Sequence, residues 1–454
     1  MKLTIIGGGG FRVPQIVEAV SSADAGIRVD EISLYDTSAE RLGVMAAVLD
    51  QLTPALSHPP TITATGDLDA ALRGSDFVFS AIRIGGTAGR IQDERVALAL
   101  GVLGQETIGP GGLAYALRTL PHARALAERI RAVAPQAWVI NFTNPAGIIT
   151  EAMRAILGDR VIGICDTPIG LVRRVARVLG RDPRDVDFDY VGLNHLGWLR
   201  TLTVDGRDVL PDLLADDELL DGIEEARLVG FDWVRAIGAL PNEYLFYYYF
   251  NREAVARISG GGPTRGEYLD AQQNAFYATA AADPAHSLEA WDRARHERES
   301  SYMGESRAEE ERFGRRAEDV EGGGYQQVAL DLMTALVTGA GSGTAMILDV
   351  GNDAAGGDLL VPQLPADAVL EVPCTVDRYG VHPRRVAPLP SEMAGLLLQV
   401  KACEQLILRA SAERSAELAW RAFASHPLVD SIAVGRRLLE DYRQHIPGVA
   451  AAFD

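Results

Sequence analysis

Four consecutive glycines, Gly7 to Gly10, separate a short apolar run from a helical pattern, and few folds accept that order. Leu3-Thr4-Ile5-Ile6 precedes them, and Val13, Ile16, Val17 and Val20 follow at helical spacing. The order predicts strand, tight turn and helix. Glycines at such a turn let the backbone approach a pyrophosphate, and the free N–H groups of the helix N-terminus face it. Glu31-Ile32-Ser33-Leu34-Tyr35-Asp36 then reads as a second strand ending in an acid. A carboxylate there accepts both ribose hydroxyls of an adenosine and repels a 2′-phosphate. NAD is therefore expected rather than NADP, held by Gly7, Gly8, Gly9, Gly10, Phe11 and Asp36. A doubly wound domain that binds something else carries the same local signal.

Three more buried strands are expected at Asp76–Ile82, Trp138–Phe142 and Val161–Ile164. Ligands of such sheets bind beyond the carboxyl ends of strands. Arg83 and Arg90 follow the first of these and suit an anionic group, or are solvated loop charges. Asn144, before Pro145 and a helix from about Gly147, points an amide toward the cleft or is a plain cap. Cys165 and His195 each sit where a strand ends. Thiolate and imidazole form a borderline-soft metal pair that leaves positions open for substrate; a lone Cys and a lone His are also common core residues.

The 454 residues carry 43 Lys and Arg against 62 Asp and Glu, a net charge of −19. That field repels nucleic acid and anionic lipid, so neither is an expected partner. Cys165, Cys374 and Cys403 are too few and too scattered for a disulfide framework and fit a reducing compartment. Residues 1–9 do not read as a signal peptide, and no run approaches the roughly 18 apolar residues of a membrane span. A soluble, cytoplasmic protein is expected.

The second half reads as mostly helical. Helices are expected over Ala278–Arg295, Gly322–Thr338 and Met393–His426, and strands at Met346–Val350 and Ala368–Val372. The charge-dense stretch Glu297–Glu321 reads as a solvated helix or mobile segment. The expected fold is α/β. An NAD-binding, Rossmann-like, doubly wound parallel sheet over residues 1–196, laid out as in lactate and malate dehydrogenases, is joined to an α+β substrate, metal and oligomerisation domain over residues 197–454.

Several segments in order resemble family 4 of the glycoside hydrolases, the NAD- and divalent-metal-dependent glycosidases. They are the glycine turn, Arg83-Ile84-Gly85-Gly86, Gly104-Gln105-Glu106-Thr107-Ile108-Gly109-Pro110-Gly111-Gly112, and Asn141 to Pro145. Cys165-Asp166-Thr167-Pro168, Gly192-Leu193-Asn194-His195, Pro241 to Tyr248 and Val369 to Cys374 continue the pattern. The resemblance implies a glycosidase outside the two-carboxylate scheme of most such enzymes. Hydride passes from sugar C3 to NAD, a base removes the acidified C2 proton, and the C1–O bond eliminates. Water then adds at C1 and the hydride returns. The resemblance further implies Cys165 and His195 as ligands of a metal, manganese above all. It implies Tyr244 as the base, with Tyr247, Tyr248 and Tyr249 as rivals for that role. Asp166 joins the catalytic set and, with Asn144 and Asn194, the sugar contacts. Arg265 stands near substrate and metal. Homodimers or homotetramers are usual in the family.

Two departures matter. Many members have Ser and Tyr where this chain has Gly10 and Arg12, and the serine side of that turn helps hold a sugar 6-phosphate. Arg12 supplies a stronger anion contact in its place, or serves a uronic acid carboxylate or the cofactor pyrophosphate. The Cys165 box fits no single branch, but its proline and Tyr244 lean toward 6-phospho-β-glucosides over α-linked or unphosphorylated ones. Outside the family, the same N-terminal layout fits an NAD-dependent 2-hydroxy acid dehydrogenase, with His195 as base and Arg83 and Arg90 as clamps. A non-catalytic NAD-binding sensor is the remaining alternative.

Overall fold

In the computed structural model, which describes residues 1–302, 316, 324–339, 345–353 and 357–454, the glycine turn joins β1 (Lys2–Ile6) to a helix over Val13–Val20. β2 (Glu31–Tyr35), β3 (Thr61–Thr65), β4 (Phe77–Ser80), β5 (Trp138–Asn141) and β6 (Val161–Gly163) complete a parallel block in the order β3-β2-β1-β4-β5-β6. That is the dinucleotide-fold order, which reverses between β1 and β4 and opens a crevice at their carboxyl ends. The segment Asp76–Ile82 is thus the fourth strand and not the third. β3 gives a weak pattern because Thr61–Thr65 has no buried residue and its alternation rests on Ile62 and Ala64 alone.

The sheet continues through the second half of the chain. β7 (Val186–Leu193) and β8 (Leu196–Val204) form a hairpin, with β9 (Arg207–Asp208) and β10 (Leu240–Pro241) beside β8. β11 (Met346–Gly351) pairs antiparallel with β6 through Asp349 and Gly163, and β12 (Val369–Asp377) links β11 to β7. β13 (Gly380–Pro383) flanks β12. Residue 196, the expected boundary, opens the second strand of the β7–β8 hairpin, so one sheet holds both candidate metal ligands at strand ends.

Two expected helices are each broken. Ala278–Arg295 is divided between Arg265–Ala282 and Ser287–Ser300, because Pro284 supplies no N–H and disfavours helix at Asp283. Met393–His426 is divided between Ser391–Glu413 and Ala416–Ser425. Arg414 turns left-handed at φ +53° and the Ser415 side chain caps the second helix, signals that the apolar period masked. The helix expected from Gly322 runs over Tyr325–Thr338, with 322 and 323 outside the described residues. Of the charge-dense stretch, 297–300 end the helix Ser287–Ser300, while 303–315 and 317–321 lie outside the described residues.

Those second-half helices close over the glycine turn. Tyr277 Oη donates to the Gly9 carbonyl at 2.7 Å, and Trp291 Nε1 donates to the Phe11 carbonyl at 2.8 Å. Below the crevice, the helix Gly109–Val133 carries Arg118, whose guanidinium grips buried Asp93 through two bonds of 2.6 and 2.7 Å and the Ile84 carbonyl at 2.8 Å. Removing one partner of a buried pair strands the other charge. Arg118→Met should therefore cost about 3–5 kcal/mol, read as a lower denaturant midpoint at unchanged slope.

Candidate active site

A cavity of about 650 Å³ opens at the carboxyl ends of β1, β4, β5 and β6. Of the expected cofactor residues, Gly7, Gly10, Phe11 and Asp36 line it, while Gly8 and Gly9 do not. Gly7 holds φ +90°, and a Cβ there would lie 2.6 Å from the Ala81 carbonyl oxygen. A Cβ on Gly8 would strike Leu34, and one on Gly9 would strike Arg41. Those two glycines therefore let the turn lie against β2 and the next helix, whereas Gly7 and Gly10 face the cavity. Asp36 is fixed by two backbone N–H groups, Gly9 to Oδ2 and Ser38 to Oδ1, each at 3.0 Å. Arg12 precedes the helix Val13–Val20, whose N-terminus has no side-chain cap. Fixed acid, close-approach glycines and open helix end together fit a dinucleotide.

The other end of the cavity gathers Asn144, Cys165, Asp166, Asn194, His195 and Tyr244. His195 sits in the two-residue turn of the β7–β8 hairpin with φ +64°. Its ring stacks on Tyr244 at 3.9 Å between centroids and 13° between planes. Burial drives its pKa down to about 3, more than the nearby Glu106 charge raises it, so the imidazole is neutral. Its buried Nδ1 has no hydrogen-bond partner among the described residues, nor has Asn144 Oδ1. Burial, then Glu371 and Asp166, push the Cys165 thiol well up, so ionising that sulfur calls for a cation at it. A neutral imidazole with an orphaned nitrogen and a thiol beside open space form a fitting donor set for a borderline divalent metal. Among the described residues no group of three or more His, Cys, Asp and Glu could hold a metal, so protein donors of these types stop at two here.

Tyr244 is tied to the cysteine box by Asn242. The Asn242 side chain donates to Thr167 Oγ1 at 2.7 Å and accepts the Tyr244 N–H at 3.0 Å, while Thr167 Oγ1 lies 3.3 Å from Cys165 Sγ. Of the rival tyrosines, Tyr247 also lines the cavity. Tyr249 accepts from Trp198 Nε1 at 2.8 Å, and Tyr248 packs near His426; neither lines it.

The arginines fall into two groups. Arg83 and Arg90 line the cavity, but both pair with Glu106, and Arg90 also pairs with Glu94 at 2.8 Å. Two arginines and two glutamates leave that quartet neutral. Arg12 and Arg298 differ: through their guanidinium groups they make no hydrogen bond or ion pair to the described residues. Arg12 lies 5.3 Å from the Phe142 ring and 4.7 Å from that of Tyr325, and Arg298 lies 5.8 Å from that of Phe11. Burial and the surrounding charges of Arg12, Arg265, Arg90 and Arg83 hold the Arg298 pKa well below its usual value. Arg265 donates to Ser301 Oγ at 2.8 Å and to the Arg298 carbonyl at 3.0 Å. An anion is the natural complement of such a cluster.

Glu106, quoted within a motif but given no role, is the hub of the first group. Burial favours its neutral form, yet Arg83 and Arg90 outweigh that and hold it at about 2, below 4.5. The unfolded chain takes up this proton near pH 4.5 and the folded chain only near pH 2. The pairing therefore contributes fully above pH 4.5, and its contribution is lost as pH falls through that window. The melting temperature of Glu106→Gln should lie well below native at pH 6, with the gap closing toward pH 2. Asn242 and Glu371 likewise fall inside quoted motifs without a role there, and Arg298 and Tyr302 lie outside every motif. Glu371 accepts from Tyr190 Oη at 3.1 Å and Asn194 Nδ2 at 3.4 Å beneath the hairpin turn.

Residues 2–181 match the model of the family 4 glycosyl hydrolases, and residues 190–429 match that of the family's C-terminal domain. The chain belongs to family 4 of the glycosyl hydrolases. Maltose-6′-phosphate glucosidase of Bacillus subtilis (strain 168) is 29% identical over 97% of this chain and 94% of its own length. The 6-phospho-β-glucosidase of Thermotoga maritima, solved with manganese, NAD+ and glucose-6-phosphate, superposes with a TM-score of 0.79 at 26% identity over 98% of each chain. A 6-phospho-α-glucosidase from gut microorganisms, solved with NAD and glucose-6-phosphate, gives 0.80 at 26% identity over 99% of this chain and 98% of its own. The fold is also like that of malate dehydrogenase: the Cryptosporidium parvum enzyme gives a TM-score of 0.51 at 15% identity over 90% of this chain and 98% of its own. This family 4 chain is thus a glycoside hydrolase. No helix among its described residues is long and apolar enough to cross a membrane.

Proposed function

We propose that the chain hydrolyses a 6-phospho-β-glucoside by NAD- and metal-dependent elimination and addition. The observation that carries this is Arg12 and Arg298, two guanidinium groups without acceptors among the described residues, facing the same cavity as Cys165, His195 and the glycine turn. The bound molecules of the solved relatives support it: NAD+, manganese and glucose-6-phosphate in one, NAD and glucose-6-phosphate in the other. The β-anomer rests on the resemblance carried by Tyr244 and the Gly192–His195 turn.

When bound, the dinucleotide supplies hydride acceptance and return at C3 and the metal supplies Lewis-acid polarisation of the neighbouring oxygens. Cys165 and His195 hold the metal, and Gly7, Gly10, Phe11 and Asp36 hold the dinucleotide, with Gly8 and Gly9 keeping the turn flat against the sheet. Arg12, Arg298 and Arg265 bind the phosphate and fix the sugar's position. Asn144, Asp166 and Asn194 bind ring hydroxyls. Tyr244 Oη takes the proton from C2. Arg83 and Arg90, neutralised by Glu94 and Glu106, shape the wall beside the anion. Residues 1–196 carry the dinucleotide and Arg12 in this division of labour, and residues 197–454 supply the base, Arg265 and Arg298.

The test is a panel of 4-nitrophenyl α- and β-glucosides with and without a 6-phosphate, assayed with and without manganese and NAD in deuterated water. Turnover should require both cofactors, favour the phosphorylated β-glucoside and place deuterium at product C2. A product without deuterium at C2 would sink this mechanism, and net NADH formation would point to the dehydrogenase instead.

A further inference from the structure

The hydroxyl of Tyr244 is joined to Tyr302, outside the family motifs, and through it to Glu243, its neighbour within the Pro241 to Tyr248 segment. Tyr244 Oη lies 3.1 Å from Tyr302 Oη, and Tyr302 Oη donates to Glu243 Oε1 at 2.8 Å. A phenol carries one proton and a carboxylate only accepts. Because Tyr302 spends its proton on Glu243, Tyr244 must be the donor in the contact between the two phenols. The chain therefore has a direction, Tyr244 O–H to Tyr302 O–H to Glu243 carboxylate. It turns the Tyr244 proton toward Tyr302 and leaves that oxygen's lone pairs for an incoming proton. Tyr244 and Tyr302 both line the cavity, and the Asn242 side chain fixes the turn that carries Glu243 and Tyr244.

From this polarity we propose that Tyr302 and Glu243 act through Tyr244 as a proton relay for removal of the C2 proton. The inference rests on the reading of Tyr244 as the base. In the step, the C2–H bond breaks and its electron pair stays on the sugar. The proton forms a new O–H bond at Tyr244 while the original Tyr244 proton moves to Tyr302 and the Tyr302 proton moves to Glu243. Both phenols are neutral before and after, Glu243 ends protonated, and nothing is oxidised or reduced. The reverse transfer returns a proton to C2 when water has added at C1.

Tyr302→Phe and Glu243→Gln keep shape and remove the proton path. They would be assayed as full chains with NAD and manganese on 4-nitrophenyl 6-phospho-β-glucoside, and on its C2-deuterated and C3-deuterated forms. For each variant kcat should fall about 10- to 100-fold, reaching only the lower end of the roughly 10²–10⁴-fold contribution of a direct general acid–base group because each acts through Tyr244, with KM changed less than about threefold. The isotope effect at C2 should rise and that at C3 should fall toward one, because deprotonation becomes the slower step. Native kcat in both variants overturns the relay. So does a fall in kcat with both isotope effects unchanged, the mark of a merely structural role. If one variant melts far below the native chain, the other decides. Absence of solvent deuterium at C2 in the native product fails the underlying reading; its presence with variants that behave as native fails the relay alone.

Discussion

Cys165→Ala should turn over at least about a thousandfold more slowly than the native chain and should leave a desalting column without manganese. The donor set makes the effect large. Among the described residues Cys165 and His195 have no third His, Cys, Asp or Glu to share the ion, so losing either halves the protein's own ligands of these types. A thousandfold is about 4 kcal/mol, within the several kcal/mol of charge stabilisation that a Lewis-acid metal contributes. His195→Ala should behave alike and also free the face of Tyr244 that the imidazole covers. Metal content by elemental analysis, NAD affinity by fluorescence and the melting curve separate loss of the ion from loss of the fold. Cys374 and Cys403, buried away from the cavity, provide the contrast. Serine at either should lower stability and leave manganese and turnover near native. If Cys165→Ala kept its manganese, the ligand assignment would be wrong.

What could be read from the sequence was whatever the chain states locally. The glycine turn, Asp36 at the end of β2, and the Cys165 and His195 strand ends are contiguous patterns tied to backbone conformation, and the structure brings them to one cavity. The groups that tune that cavity are tertiary facts. Arg298 lies in a run of alternating charges that reads as solvated surface, and only the packing of the helix Ser287–Ser300 over the glycine turn makes it line the cavity. Arg83 and Arg90 read as anion clamps because the sequence shows their charge and not Glu106 lying between them. Tyr302 reaches Tyr244 across 58 positions, a separation with no periodic signature. The same limit applies to the fold. β3 is polar at a sheet edge, and the joining of β6 to β11 rests on one bridge between Asp349 and Gly163, far apart in the chain. Helix breaks at Asp283-Pro284 and Arg414-Ser415 are legible as proline and cap signals, but an apolar period that continues across each of them masks the break.

Arg12→Leu should collapse discrimination between phosphorylated and unphosphorylated glucosides. In the native chain the Arg12 guanidinium is held by two aromatic faces and bonded to no acceptor among the described residues, so its hydrogen-bonding capacity is kept for ligand. Hydrogen bonds to a charged group contribute about 1.5–3 kcal/mol, so kcat/KM for the 6-phosphoglucoside should fall about 10- to 100-fold. The value for the unphosphorylated sugar, which never makes the contact, should stay within about twofold. Arg298→Gln should act in the same direction, and the double variant should lose less than the product of the two, since both arginines serve one anion. Arg83→Gln offers the sharper contrast, because its charge is already spent on Glu106. It should cost stability and little of the phosphate preference. A pyrophosphate role for Arg12 predicts the opposite split: NAD affinity would weaken while the ratio of the two sugars stayed as in the native chain. Measuring both quantities on one variant therefore separates the substrate from the cofactor as the anion that this arginine serves. A 6-carboxylate sugar added to the panel separates the two acids, because the shorter, less charged group would gain on the phosphate only if the guanidinium pair is spaced for it.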